Sequence, residues 1–312
     1  MRQPARPDAS RAAQGRAGAD DPYKTFEKYG VVKMPDESEP PILTPATRAA
    51  LAVWMMELNY SRELEAVGVK PRMRAMLEGP PGTGKTTLAH HIAARLGIPL
   101  VIIEISSLIT GIVGSTGNNI GAVFSAARKL EGNVALFFDE IDSIGAARNS
   151  DGSSAGQERN NTVISLIQML DRYDAMLFAA TNRPEAIDAA IWRRFEMQIT
   201  VGLPGTAERF AIVKRYLHPF DLPDEDVAAL AAALEGAAPA LIKNVIEQVK
   251  RELVLAPRTQ AAADLPSILG RVIVSCQPAE DMPSPPLWSR TDRTLAELEA
   301  LSWPPVLTKK AG

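Results

Sequence analysis

The sequence of 312 residues is long enough for one or two packed domains, and its 46% hydrophobic and 23% charged content is typical of a globular protein. A net charge of −3 at pH 7 excludes a chain-wide basic field that would attract nucleic acid, although a local basic patch remains open. The single cysteine, Cys276, excludes an internal disulfide and any multi-thiolate metal site. Because the sequence lacks an apolar leader and a long uncharged stretch, we predict a cytoplasmic protein with no membrane partner.

Residues 1–44 are rich in alanine, arginine, proline, glycine and aspartate without sustained periodicity, which predicts a flexible N-terminal arm. Within it, residues 23–30 carry three aromatic side chains and are a candidate for docking on the body of the protein. Four arginines near the start leave a nucleic-acid contact open, but a solvated tail is the favoured interpretation. They are Arg2, Arg6, Arg11 and Arg16.

Residues 45–203 alternate helices with apolar strands, an order that predicts a three-layer α/β domain on a parallel sheet. The first helix is predicted over residues 45–67, with Thr44 as its N-cap and Gly68 as its stop. Strands are predicted at 74–78, 99–105, 133–138, 175–180 and 196–201, and further helices at 87–96, 118–130 and 160–173.

The character of the sequence changes after Pro204, where helical patterns follow one another without strands. Helices predicted at 207–217, 224–234 and 239–255 indicate a small all-α lid domain over residues 204–256. Residues 257–312 contain many prolines and are predicted to be a tail or a partner-docking segment, ordered only at 268–274 and 294–301.

A phosphate-binding pattern lies between the strand at 74–78 and the following helix. The stretch Gly79-Pro80-Pro81-Gly82-Thr83-Gly84-Lys85-Thr86 matches G-x-x-x-x-G-K-[ST], and Thr87 follows it at the start of the helix. The glycines allow successive backbone N–H groups to curl around phosphates, and the helix N-terminus adds positive field. We expect Lys85 to reach the β- and γ-phosphates and Thr86 to ligate Mg²⁺, because a mere turn has no need for Lys-Thr after Gly84.

Polar residues follow the next two predicted strands in positions that suit phosphoryl transfer. Asp139 and Glu140 lie at the carboxyl end of a strand, where one carboxylate can hold Mg²⁺ and the other can polarise a water. Asn182 ends the neighbouring strand and could hold that water, although asparagine also suits a turn. The unpaired burial of Arg193 and Arg194 would be costly, so each needs an anion. That anion is either a neighbouring molecule's γ-phosphate or a surface carboxylate of Asp188 or Glu196.

Four stretches together resemble the AAA family of ATPases over about residues 45–255: the phosphate loop, 136–142, 180–184 and 193–195. Residues 179–204 are most similar to the katanin and vacuolar-sorting branch. The resemblance implies a three-layer P-loop NTPase fold and ATP with Mg²⁺ as cofactors. It further implies Asp139 on the magnesium, Glu140 as catalytic base and Asn182 as a sensor. It also implies that Arg193 and Arg194 act on the site of the next subunit in a homo-oligomer, usually a hexameric ring.

The chain departs from the family pattern at two places. In the expected central-pore loop, 111–114, Ile112 stands where many members carry an aromatic residue, which weakens the case for threading of a polypeptide. On the late helix no arginine stands where other branches place a second sensor, so Lys243 is a candidate substitute. Residues 236–240 are expected near the ribose.

Three functions remain open on the sequence. The favoured one is an ATP-driven protein that remodels or unfolds a protein client. The alternatives are a regulatory nucleotide switch that gates a partner effector or protease, and a DNA-handling ATPase of a mobile element.

Overall fold

The computed structural model describes residues 21–109, 115–145, 154–259 and 262–307. The strands in these ranges are β1 (Gly30–Lys33), β2 (Arg74–Glu78), β3 (Leu100–Ile103), β4 (Ala135–Phe138), β5 (Leu177–Thr181), β6 (Met197–Thr200), β7 (Phe220–Asp221) and β8 (Val306–Leu307). The helices are α1 (Pro45–Asn59), α2 (Ser61–Ala66), α3 (Lys85–Arg95), α4 (Ile105–Leu108), α5 (Ser115–Lys129), α6 (Asp142–Gly145), α7 (Ser154–Asp171), α8 (Ala189–Trp192), α9 (Thr206–Leu217), α10 (Asp224–Ala233), α11 (Pro239–Thr259), α12 (Leu265–Ser275), α13 (Pro286–Ser289) and α14 (Thr291–Leu298).

Six strands form one sheet in the order β1-β3-β4-β5-β2-β6, and all neighbours are parallel except β1 with β3. This confirms the predicted α/β class with a parallel sheet. The strand that leads into the phosphate loop, β2, lies beside β5, and β5 lies beside β4. Because parallel strands end at the same edge, the residues that follow β2, β4 and β5 meet there.

The domain has three layers because helices cover both faces of the sheet. Along β4, Phe137 faces a cluster with Trp54 of α1 and Leu88 of α3, whereas Phe138 faces a cluster with Phe124 of α5. Every residue of β4 and β5 is buried, which explains why these strands read as unbroken apolar runs rather than as alternating ones.

Two details at the first helix bear on the sequence predictions. The side chain of Thr44 accepts a hydrogen bond from the backbone N–H of Thr47 at 3.2 Å, which confirms the predicted N-cap. The predicted single helix over 45–67 is instead divided at Tyr60 into α1 and α2. The chain leaves α2 at Gly68, which has a φ of +81°.

The structure differs from the predicted flexible arm in the described residues 26–33. Phe26 is fully buried and Tyr29 nearly so, both in the cluster around Phe124, so the aromatic segment does dock on the body. After them β1 adds an antiparallel edge to the sheet. Gly30 permits this pairing, because a Cβ at that position would lie 1.9 Å from the carbonyl oxygen of Ile102. Residues 1–20 lie outside the described part.

The structure also differs from the predicted proline-rich tail. The predicted boundary at residue 256 falls within α11, and α12 to α14 follow it. Their apolar side chains share one buried cluster with α9, α10 and α11, including Ile268, Leu269 and Leu287. β7 pairs with β8, so the helical region also contains a short strand pair. Within the described ranges, no helix combines the length and apolar character that crossing a membrane requires.

Two alanine substitutions test whether the C-terminal segment belongs to the core. Leu287→Ala should lower the free energy of unfolding by about 2–5 kcal/mol, because Leu287 is only 1% exposed. Val274→Ala is the matched control, since Val274 is 80% exposed and should change stability by less than about 0.5 kcal/mol. Urea denaturation measures both. Equal, negligible effects would mean that the segment is a tail.

Candidate nucleotide site

The loop from Gly79 to Thr86 joins β2 to α3 and adopts a conformation that depends on glycine. Gly79, Gly82 and Gly84 have φ values of +143°, +72° and +95°. A Cβ on Gly79 would also lie 2.2 Å from the carbonyl oxygen of Val201. The loop therefore leads directly into the N-terminus of α3, where unpaired N–H groups suit an anion.

Lys85 lies at the centre of the site and is mostly buried. Its Nζ donates to the carbonyl oxygens of Gly79 at 2.8 Å and Pro80 at 2.9 Å, and to Oδ1 of Asn182 at 2.5 Å. Burial lowers the pKa of Lys85, whereas the nearby carboxylate of Asp139 acts in the opposite direction. The contact with Asn182 links the phosphate loop to the end of β5.

Thr86 and Asp139 form the oxygen donor pair that a magnesium site needs. The Thr86 hydroxyl donates to Oδ2 of Asp139 at 3.1 Å, across the gap between α3 and β4. Hydroxyl and carboxylate oxygens are the ligands that Mg²⁺ takes in proteins, usually one or two of them together with water and substrate phosphates. The residues present therefore fit a Mg²⁺ bound with a nucleotide.

Glu140 follows Asp139 in a left-handed backbone conformation, with a φ of +51°. That region is uncommon for residues other than glycine and is often occupied at functional sites. The Glu140 side chain is exposed and lines the same cleft as Lys85 and Thr86.

Asp142 fixes the segment around Asn182, a role that the sequence analysis did not predict. Oδ1 of Asp142 accepts from the Thr181 hydroxyl at 2.8 Å, and that hydroxyl accepts from the backbone N–H of Arg183 at 2.9 Å. The residues on both sides of Asn182 are thereby tied to the turn after β4. The only feature of the sequence that could have indicated this role is the position of Asp142, two residues after Glu140.

The cleft around these residues has a volume of about 420 Å³ and is closed by parts of the chain far apart in sequence. One wall is the segment before α1, with Ile42 and Leu43, and another is α9, with Ile212 and Tyr216. These four apolar or aromatic residues were not predicted to line the site. The phosphate-loop residues from Pro81 onward, together with Thr87, Asp139, Glu140 and Asn182, complete it.

The start of α11 also lines the cleft, near where the ribose was expected. The backbone N–H of Ala240 donates to the carbonyl oxygen of Gly82 at 3.1 Å, which joins the helical region directly to the phosphate loop. Pro239 and Lys243 line the cleft too. Lys243 Nζ lies 5.5 Å from the centre of the Tyr216 ring and 3.9 Å from Oε1 of Glu247.

Neither Arg193 nor Arg194 is among the described residues that line the cleft, and the two differ from each other. Arg194 Nε donates to Oδ1 of Asp171 at 2.8 Å, and this hydrogen bond raises the pKa of Arg194 and lowers that of Asp171. Arg193 is exposed. Of the two carboxylates expected for a surface ion pair, Asp188 accepts from the N–H of Ala190 and its charge helps to raise the pKa of Arg194. Glu196 accepts from the N–H of Arg74.

The predicted pore loop at 111–114 lies outside the described residues, so Ile112 stays a prediction.

Residues 75–203, which hold the phosphate loop, Asp139, Glu140, Asn182 and both arginines, match the family described as "ATPase family associated with various cellular activities (AAA)". Residues 75–203 therefore form an AAA family domain.

Three known proteins are each similar to part of this chain. An AAA family ATPase of Sinorhizobium fredii, y4kL, is 35% identical over 223 residues, or 70% of this chain and 66% of that protein. An ATP-dependent zinc metalloprotease FtsH of Acidothermus cellulolyticus is 35% identical over 61% of this chain and 29% of its own length. The 26S proteasome subunit RPT4 of Saccharomyces cerevisiae is 34% identical over 55% and 40%. The matched part of this chain thus spans less than half the length of the last two proteins. The similarity to the katanin and vacuolar-sorting branch stays a prediction.

Proposed function

We propose that this protein is a Mg²⁺-dependent ATPase that assembles into a ring, possesses one active site per subunit and uses ATP hydrolysis to remodel or unfold a protein client. One observation carries the proposal: Lys85, the Thr86–Asp139 pair, Glu140 and Asn182 come from three separate strand ends and line one cleft of an AAA domain. This combination of charge and hydrogen-bonding groups is what phosphoryl transfer to water requires.

Each residue has a role that its position supports. The ammonium of Lys85 and the N–H groups at the start of α3 bind the phosphates. Thr86 and Asp139 would hold Mg²⁺, which would neutralise charge on the phosphates. Glu140 accepts a proton from the attacking water as the water oxygen bonds to the γ-phosphorus. The bond between that phosphorus and the β–γ bridging oxygen breaks, and ADP leaves. The Asn182 side chain orients that water, and Asp142 fixes the segment that carries it.

The apolar wall of the cleft supports the binding of a nucleotide base. Ile42, Ile212 and Tyr216 offer a flat, partly apolar surface to a base beside the phosphate loop. Pro239 and Ala240 line the same cleft, and the N–H of Ala240 donates to the carbonyl oxygen of Gly82, which supports a ribose bound near them.

A ring is proposed because the arginines of one chain do not line its own cleft. A charge supplied by the next subunit would complete each site, and a repeated head-to-tail contact of this kind closes into a ring when the rotation permits. A protein client is favoured because similar chains are named as an ATP-dependent protease and a proteasome subunit.

Turnover in the presence of different additives tests the proposed client. Steady-state ATPase activity should rise several-fold with an unfolded protein and should not respond to duplex DNA. Stimulation by DNA that disappears between 50 and 200 mM salt would support the DNA-handling alternative instead. Activity that appears only with the product of a neighbouring gene would support the regulatory switch.

A further inference from the structure

The two adjacent arginines at the end of α8, Arg193 and Arg194, occupy different environments. Arg193 is the C-cap residue of α8, its side chain is exposed, and no hydrogen bond or ion pair joins its guanidinium to another residue in the described part of the chain. Arg194 is 28% exposed and its guanidinium is fully engaged within its own chain.

Three nitrogens hold Arg194 in place. Nε and Nη2 donate to the two carboxylate oxygens of Asp171 at 2.8 and 3.0 Å, which is the bidentate geometry of the strong arginine–carboxylate pair. Nη1 donates to the carbonyl oxygen of Ala190 at 2.7 Å and so caps the end of α8. Arg194 therefore fastens α8 to the last residue of α7.

The turn that carries both arginines is fixed on its other sides as well. Ile191 and Phe195 are buried in the cluster beneath the sheet, one on each side of the pair. Arg74 of β2 donates to the carbonyl oxygens of Tyr173 at 2.8 Å and Arg194 at 3.5 Å. Arg193 is thus presented to solvent by a rigid support.

We infer that Arg193 alone supplies positive charge to the nucleotide of the next subunit, and that Arg194 is a positioning residue that holds Arg193 through its pair with Asp171. The inference rests on the proposed function and departs from the expectation that both arginines act across the interface. Arg194 would have to give up a bidentate carboxylate to reach a phosphate, whereas Arg193 gives up no partner in the described residues. The pair between Arg194 and Asp171 fixes the turn that carries Arg193, which reduces the reorganisation needed to bring the charge of Arg193 to the neighbouring site.

An exchange of the two charges separates the roles. The double variant Asp171→Arg/Arg194→Asp keeps an ion pair between α7 and the turn but leaves no arginine at 194. Arg193→Ala should lower turnover about 1,000-fold, as loss of an arginine finger does, and Arg194→Ala or Asp171→Ala about 10-fold. The exchange should recover turnover to within about threefold of the original protein. Arg172→Ala removes an exposed neighbouring arginine and should leave turnover unchanged.

Two further readouts distinguish positioning from general loss of structure. Arg194→Ala and Asp171→Ala should leave the Kd for ATP within about twofold, because the pair does not line the cleft. Arg193→Ala/Asp171→Ala should be no slower than Arg193→Ala, because Arg194 acts through Arg193. Tm is recorded for each variant, and Asp171→Ala decides the matter if the exchanged protein does not fold.

The possible results identify which claim is wrong. If folded Asp171→Ala turns over normally while Arg194→Ala is as slow as Arg193→Ala, then Arg194 itself contacts the nucleotide and the inference fails. Normal turnover in both Arg194→Ala and Asp171→Ala also overturns it. In either case the proposed ring ATPase stands. Normal turnover in Arg193→Ala would contradict the trans-acting charge in the proposed function as well.

Discussion

Replacing Glu140 with glutamine should slow ATP hydrolysis at least ~100-fold, because the amide cannot accept the proton of the attacking water. ATP binding should survive, since Lys85, Thr86 and Asp139 are unchanged and the substitution removes a negative charge from the cleft. Single-turnover hydrolysis and a fluorescent-nucleotide titration measure the two properties separately. The ATP-bound ring should accumulate on size-exclusion chromatography.

Glu131 provides a matched control for this substitution. It is also an exposed glutamate with a positive φ, at +50°, but it precedes β4 instead of following it. Glu131→Gln should hydrolyse ATP at the original rate. If Glu140→Gln also turned over normally, Glu140 would not be the catalytic base.

Mixing two inactive variants should restore hydrolysis. Lys85→Ala removes the ammonium that binds the phosphates, and Arg193→Ala removes the charge that the neighbour receives. In a 1:1 mixture of randomly assembled head-to-tail rings, about one quarter of the sites combine an intact Lys85 with an intact neighbouring Arg193. Turnover should therefore recover to about a quarter of the original rate, measured after subunit exchange.

The control for this experiment mixes Lys85→Ala with the double variant Lys85→Ala/Arg193→Ala. No site in that mixture keeps the lysine, so no turnover should return. If the first mixture stayed as inactive as this control at every ratio, despite exchange of subunits, then the arginine does not act across an interface.

The parts of the site that follow a local pattern were predictable from the sequence. The glycine loop, the residues after β4 and Asn182 after β5 each carry their chemistry in a few consecutive positions. Their meeting follows from one rule, that parallel strands end at the same edge. Thr44 was predictable for the same reason, because capping involves only the next few residues.

The walls of the cleft were not predictable, because they depend on contacts between distant segments. Arg215 of α9 donates to the carbonyl oxygen of Pro40 at 2.7 Å, across 175 positions of sequence. That bond joins the segment before α1 to the helical region, and it brings Ile42 and Tyr216 to the same cleft. Neither residue carries a pattern that distinguishes it from other surface or core positions.

The prediction of a tail after residue 256 gave the prolines more weight than the apolar spacing, although the order predicted at 268–274 and 294–301 agrees with α12 and α14. Leu265, Ile268, Leu269 and Val272 recur at helical intervals and are all buried. Pro286 lies in the first turn of α13, a position where proline favours a helix. Proline content therefore indicated helix starts here, and not disorder.

The arginine pair illustrates a different limit. Arg193 and Arg194 are identical in type and adjacent, so composition and spacing cannot separate them. The distinction comes from Asp171, 23 residues away at the end of α7. Only the packing of α7 against α8 shows which arginine already has a carboxylate.

The central claim is that ATP held by Lys85 is hydrolysed only when a second copy of the chain supplies positive charge to it. Turnover per subunit, measured across a dilution series alongside the oligomeric state by sedimentation, tests this most directly. We expect turnover per subunit to fall in step with the loss of the oligomer. A protein that is monomeric throughout and hydrolyses ATP at an unchanged rate would contradict the account.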